Sequence, residues 1–272
     1  MNLARHGKRA WSSTIALMMI STAAMAQTAE SPAVSAINGK LSLEGGAAGT
    51  KGVSAGAGLA AGSVTVPVGS SFGLQLDGVA GTYYGGLAAG GGGHVFYRDP
   101  MRFLIGPTAG ITSLLDATLG QSGLEGELYL GKFTLAATGG YQWAVASPNL
   151  VPKSGGYGQA EIRYYPIDNL MLTAGVGDYA GTWLGVGGVE YQPGFEAMPG
   201  ASLFVSGFGG GDNSYKITAG IRFHFGAPKT LIKRHREDDP GNFLLNGATV
   251  GTTNPGQIMR TLTPQPVVGG FI

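Results

Sequence analysis

Residues 218–225 read TAGIRFHF. Successive side chains of an extended chain point to opposite faces, so Thr218, Gly220, Arg222 and His224 share one side and Ala219, Ile221, Phe223 and Phe225 the other. The pattern reaches back through Tyr215, Lys216 and Ile217, and it leaves one face with no charge at all. In a bilayer that apolar face meets hydrocarbon. A one-residue slip would turn Lys216 and Arg222 to lipid instead, at about 2–4 kcal/mol each near the midplane, so the register is strongly specified.

Period-two alternation recurs from about Gly39 to Phe225, and no helical period takes hold. Lys40-Leu41-Ser42-Leu43-Glu44 has it, as does Gln159-Ala160-Glu161-Ile162-Arg163-Tyr164; residues 132–143 keep Phe133, Leu135, Ala137, Tyr141 and Trp143 on one face. Turn signals at residues 67–71, 98–100, 130–132, 166–169 and 193–200 interleave with a second set at residues 49–51, 82–86, 115–123, 147–155, 178–181 and 209–214. The reading is an all-β, antiparallel up-and-down barrel of about twelve strands over residues 37–225, with both termini at one end. Aromatics gather near each set of turns. Phe72, Tyr97, Phe103, Phe133, Tyr164, Tyr191, Phe223 and Phe225 lie near the first, and Tyr83, Tyr84, Tyr141, Trp143, Tyr157, Tyr179, Trp183, Phe208 and Tyr215 near the second. Two such belts are what a membrane-spanning barrel presents to its interfaces.

Composition agrees. Arg5, Lys8 and Arg9 precede an apolar run at residues 15–20 and the small-x-small site Ala24-Met25-Ala26, so residues 1–26 read as a secretory signal peptide followed by a short segment, 27–36. The apolar run is too short to cross a bilayer as a helix. The chain has no cysteine, which leaves stability to backbone pairing and packing. Charged residues make up 12% and the net charge is +1, low for a secreted soluble protein and without any basic patch that would suit nucleic acid. Glycine supplies 50 of 272 residues, set inside the alternation, as a tightly curved closed sheet requires.

A soluble sandwich would also alternate, but it would spread its charges over its exterior. Here the polar face gathers most of the strand-region charges in nearly balanced signs: Lys40, Glu44, Asp77, Arg98, Arg102, Glu125, Glu127, Lys132, Glu161, Arg163, Glu190, Lys216 and Arg222, with His94 and His224 beside them. These are the expected lumen-lining residues. The polar-x-Gly-x-x-aromatic-x-aromatic pattern at Thr218, Gly220, Phe223 and Phe225 resembles the C-terminal assembly signal of bacterial outer-membrane β-barrel proteins. That resemblance, which covers residues 37–225, implies a small, glycine-rich, porin-like barrel for passive diffusion of small solutes, with a non-conducting structural or surface-interaction barrel as the alternative and an outer-membrane lipid-modifying enzyme, whose known motifs are not apparent, as the third reading. Its implied partners are outer-membrane lipid, the barrel-insertion machinery and small solutes, and its termini and short turns face the periplasm. It departs from the family in carrying a tail after the signal.

Other motifs carry less. Gly69-Ser70-Ser71-Phe72-Gly73 matches a nucleophile pattern, yet a strand follows where a helix is needed. Gly90-Gly91-Gly92-Gly93-His94 lacks the helix a phosphate cradle opens. His94 and His224 are two isolated histidines without ligand spacing, Glu125 and Glu127 read as rungs of an ion-pair ladder, and neither an enzyme, a cofactor nor a metal is implied. Residues 226–272 open with a charge run, Lys229 to Pro240, and turn Gly, Asn, Thr and Pro rich. They read as a solvated, largely disordered periplasmic tail, with a sharper alternative that they fold back to plug the barrel mouth.

Overall fold

A computed structural model describes residues 31–50, 53–83, 86–114, 117–145, 154–194, 196–211 and 214–241. The expected signal peptide, residues 27–30, Tyr84 and the tail beyond residue 241 lie outside the described residues. Twelve strands run in chain order: β1 (Asn38–Thr50), β2 (Val53–Val68), β3 (Phe72–Tyr83), β4 (Gly86–Asp99), β5 (Phe103–Leu114), β6 (Ala117–Leu130), β7 (Phe133–Val145), β8 (Gly155–Ile167), β9 (Leu170–Tyr179), β10 (Thr182–Tyr191), β11 (Ala201–Gly210) and β12 (Ser214–Phe225). Each pairs antiparallel with its sequence neighbours, and β1 pairs with β12 to close the barrel. A short helix, α1 (Leu231–Glu237), comes after the last strand.

The alternation of the sequence becomes two surfaces. Along β12, Ile217 is 56% exposed while its neighbours Lys216 and Thr218 are 4% and 1% exposed. Leu41, Leu43, Leu76, Ile105, Ile162 and Val176 are likewise exposed from their own strands. An apolar exterior around a polar interior is a soluble fold turned inside out, and hydrocarbon is the solvent that satisfies it. The structure is that of a transmembrane antiparallel β-barrel.

At the closing seam Glu44 faces Gly220 and Gly46 faces Thr218. A Cβ on Gly220 would lie 2.2 Å from the Leu43 carbonyl oxygen, and one on Gly46 2.0 Å from that of Ile217. Neither distance is tolerable, so glycine here is what lets the first and last strands approach.

The aromatic belts need correction. Phe72, Tyr97, Phe133, Tyr164, Tyr191 and Phe225 are exposed at the end where the termini lie, with Phe133 stacked on Tyr164 at 4.7 Å. At the far end Tyr141, Trp143, Trp183 and Tyr215 are exposed, but Tyr83, Tyr157 and Tyr179 are buried and point inward. Tyr157, Tyr179 and Leu184 pack with Val186 and Phe208, and Tyr83 packs with Leu59, Val79 and Leu114. They fill the far end of the lumen with apolar bulk.

Residues 226–241 also differ from the solvated extension expected of them. Their helix α1 has its first backbone N–H groups taken up by the β8–β9 turn: Leu231 N–H donates to Asn169 Oδ1 at 3.1 Å and Ile232 N–H to the Asp168 carbonyl at 3.0 Å. Those donors would otherwise be orphans of the helix terminus. Leu231 is fully buried.

Placing a charge on the outer face tests the lipid assignment. Ala219→Arg, at the middle of β12, is expected to lower stability in lipid vesicles by about 2–4 kcal/mol, while Ala219→Leu stays within about 1 kcal/mol of the wild type; denaturant titration of the folded barrel measures both.

Candidate functional site

The site is the lumen, and its middle layer is set by strand parity. On β3, Gln75 and Asp77 lie two residues apart and both point inward, opposite His94 and Gly92 of β4. Ser63 Oγ donates to Asp77 Oδ1 at 2.6 Å and Gln75 Nε2 donates to the same oxygen at 2.8 Å. The His94 ring bridges two carboxylates, with Nε2 at 2.7 Å from Asp77 and Nδ1 at 2.7 Å from Glu125. Next to it, Arg163 spans Glu127 at 2.6 Å and Glu161 at 2.5 Å. Around the wall, Lys216 pairs with Glu44 at 3.3 Å and Arg222 pairs with Glu190, which also accepts from Ser202 Oγ at 2.6 Å. A buried charge stripped of its partner costs several kcal/mol, so this mutual pairing is the condition for a charged interior to exist.

Beside these pairs lies a cavity of about 180 Å³, lined by Glu44, Glu161, Arg163, Glu190, Lys216 and Arg222 of the wall and by His235 and Asp239 of the tail. Its charged groups are of both signs, and the apolar side chains of Met171, Val186, Phe204 and Phe208 line it beside them. It has room for water and small polar groups.

At the end of the lumen nearest the termini two segments, residues 31–37 and 226–241, dock against the wall. Val34 packs on Phe96, Leu104 and Tyr129. Arg98, 2% exposed, donates through Nη1 to the Ala33 carbonyl at 3.2 Å and to the Asp238 carbonyl at 3.1 Å, with Phe96 beneath its guanidinium. One wall residue therefore holds both segments. Lys40 pairs with Asp239 and donates to the Pro240 carbonyl at 2.9 Å. Burial pushes the Asp239 carboxyl up, but Lys40 beside it wins and holds it below the usual carboxylate range. Lys229 pairs with Asp238 at 2.5 Å, and Arg234 donates to Gln192 Oε1 at 3.1 Å. Arg236 donates to the Phe133 carbonyl at 2.8 Å and lies over the Tyr129 ring.

His235 borders the cavity. Its Nδ1 lies 2.9 Å from the Tyr165 hydroxyl and its Nε2 3.8 Å from Glu190. Burial pushes its pKa down to about 3, so the docked ring is neutral at physiological pH and its contact with Glu190 is not an ion pair.

Of the residues expected in the lumen, Lys40, Glu44, Asp77, His94, Arg98, Glu125, Glu127, Glu161, Arg163, Glu190, Lys216, Arg222 and His224 point into it. Arg102 and Lys132 do not. Each occupies a tight turn beyond its strand, where Arg102 pairs with Asp99 at 3.5 Å and Lys132 with Asp168 at 2.6 Å, both exposed. Thr218 points inward, Gly220 lies at the seam, and Phe223 and Phe225 face out. Sequence reasoning missed Ser63, Gln75, Tyr129, Tyr165, Gln192, His235, Asp238 and Asp239. The wall members were available as inward positions of their strands; the tail members carried no local signal beyond a two-signed charge run.

No family model matches the chain, and no curated protein matches it. Solved structures do. The KdgM porin aligns at TM-score 0.50 with 10% identity, over 69% of this chain and 99% of the porin. The NanC porin aligns at TM-score 0.50 with 9% identity, over 67% and 98%. The COG4313 outer-membrane channel from Pseudomonas putida F1 aligns at TM-score 0.49 with 12% identity, over 74% and 99%. The barrel thus has the fold of outer-membrane porins.

Removing one partner of the tail's buried ion pair is expected to undock it. Asp239→Ala leaves Lys40 buried and uncompensated, a loss of about 3–5 kcal/mol, whereas Lys40→Met with Asp239→Leu recovers most of the docking. Hydrogen exchange of residues 226–241 reads both.

Docking should also weaken in acid. Undocked His235 takes up a proton near its ordinary pKa of 6.5 while the docked ring resists until about 3, so docking is at full strength above pH 6.5 and is lost as pH falls toward 3. With chelator present, exchange of residues 226–241 should be up to about a hundredfold faster at pH 4.5 than at pH 7 after correction for intrinsic rates, and His235→Gln should flatten most of that dependence.

Proposed function

We propose that this chain is an integral outer-membrane barrel that passes small polar solutes passively, and that its own segments 31–37 and 226–241 close the periplasmic mouth. The observation that carries the reading is the cavity between Glu44, Arg163, Glu190 and Lys216, a charge-lined space continuous with the docked tail rather than a packed core. A lumen meant only to hold a barrel together gains nothing from buried charge, because well-packed apolar residues of the same volume serve as well or better. The fold of the KdgM and NanC porins supports the same direction. By resemblance, residues 218–225 address the chain to the barrel-insertion machinery, and the termini face the periplasm.

A second reading, a non-conducting barrel with a structural role, draws on the apolar layer at the far end, where Tyr83, Tyr157, Tyr179 and Leu184 are buried. Polar lining and apolar filling thus favour different functions, and conductance separates them.

Single-channel recording of the mature protein in planar bilayers is expected to show small discrete steps. Deleting residues 226–272 should raise the step size severalfold while strand content and heat-modifiable migration stay unchanged. A folded deletion variant that adds no conductance would select the structural reading.

A further inference from the structure

Three side chains from three separate elements converge where the tail helix meets the wall. Glu190 comes from β10, His224 from β12 and His235 from α1, and one ligand-type atom of each lies within 4.8 Å of the other two. His224 Nε2 is 3.3 Å from Glu190 Oε1, and His235 Nε2 is 3.8 Å from Glu190 Oε2. Two ligands each about 2.0–2.1 Å from a tetrahedral zinc ion stand about 3.4 Å from one another; the two histidines approach different oxygens of Glu190, so an ion between the rings has both carboxylate oxygens within reach. We propose that Glu190, His224 and His235 form a binding site for a divalent transition metal, zinc by its ligand type, which ties the tail helix to the barrel wall.

Several features of the surroundings suit such a site. Two imidazoles and a carboxylate are the donor set that first-row transition ions favour, while calcium and magnesium prefer oxygen alone. The second ring nitrogen of His235 is already engaged by Tyr165 at 2.9 Å, which leaves Nε2 aimed at Glu190; an outer contact of this kind is what orients a ligating histidine. The cavity borders Glu190 and His235, so a water molecule has room to complete four-coordination. Glu190 is further oriented by Ser202 Oγ at 2.6 Å.

Arg222 also touches Glu190 and is the competing cation. Its guanidinium retains other contacts if the carboxylate turns to a metal, since its Nε donates to Ser42 Oγ at 2.9 Å and its plane covers the Phe204 ring at 4.7 Å. The metal would therefore exchange one partner of Glu190 for another without leaving Arg222 bare.

The consequence is mechanical. Two ligands belong to the wall and one to the tail, so zinc stabilises the docked helix by whatever it gains from the third ligand. The tie holds whether or not the barrel conducts.

The test uses untagged mature protein in detergent, stripped with chelator and dialysed. Zinc titration by calorimetry is expected to show one equivalent bound, cobalt to give the intense visible absorption of a tetrahedral site, and zinc to slow hydrogen exchange of residues 226–241. His235→Gln and His224→Gln should each weaken zinc binding by at least about tenfold and abolish the cobalt band. His235→Gln alters only the tail helix, so the barrel's strand signal and heat-modifiable migration verify its fold; should His224→Gln not fold, His235→Gln and the wild-type cobalt spectrum decide. Zinc bound equally by wild type and His235→Gln, or no zinc bound by the wild type, would overturn the assignment.

Discussion

The constraint on which everything rests is that the outer face of this barrel is solvated by hydrocarbon, which cannot accept a charge. The lysine, arginine, glutamate and histidine side chains of the strands are thereby turned inward, into a space too narrow for each to keep its own water. The charges must then satisfy one another. His94 between Asp77 and Glu125, Arg163 between Glu127 and Glu161, and Glu190 beneath Arg222 are the forms that this takes. Removing the lipid would remove the reason for the arrangement, since in water the same residues would gain more by facing out.

The same constraint explains the tail. Lys40 lies near the start of β1 and pairs with Asp239, supplied by the tail, and Arg98 finds acceptors in backbone carbonyls of Ala33 and Asp238. The wall thus leaves cations whose acceptors come from the two segments flanking the barrel. Docking is mostly polar, with Leu231 and Val34 as buried apolar anchors. Polar contacts of this kind contribute modest net energy each and are sensitive to pH and to competing ions. A mouth closed this way is held by complementarity rather than by a hydrophobic core.

How much of this could be read from residues alone depended on whether the information was local. The sides taken by Lys216 and Ile217 come directly from period-two alternation, and the strand count from the interleaved turn signals. Tyr157 shares the parity of Gln159 and Glu161 and could have been placed inside by that rule; closeness to a turn, used in its place, sent it outside. Arg102 and Lys132 failed for a different reason, because alternation gives a side but not the point at which a strand stops and a turn begins. Docking of the tail could be raised only as an alternative, without its contacts. Lys40 and the Pro240 carbonyl are 200 residues apart in sequence, and a run of mixed charge looks the same whether water or a complementary wall receives it. The cavity is a product of that docking and was equally invisible.

The two ends of the lumen are built on opposite principles, and this bears on which end can move. At the far end, Leu59, Val79, Tyr83 and Leu114 form a dry layer contributed wholly by the strands, so opening it would require the barrel itself to deform. At the other end the obstruction is a separate length of chain attached at Phe225 and seated by ion pairs and hydrogen bonds. Freeing it breaks no strand ladder. Water can replace each of its polar contacts at a net loss of about 0.5–3 kcal/mol apiece, whereas the backbone ladder of a barrel in lipid has no such substitute. If passage through this barrel is controlled by a part that moves, that part is the tail, whereas the far layer is fixed with the strands.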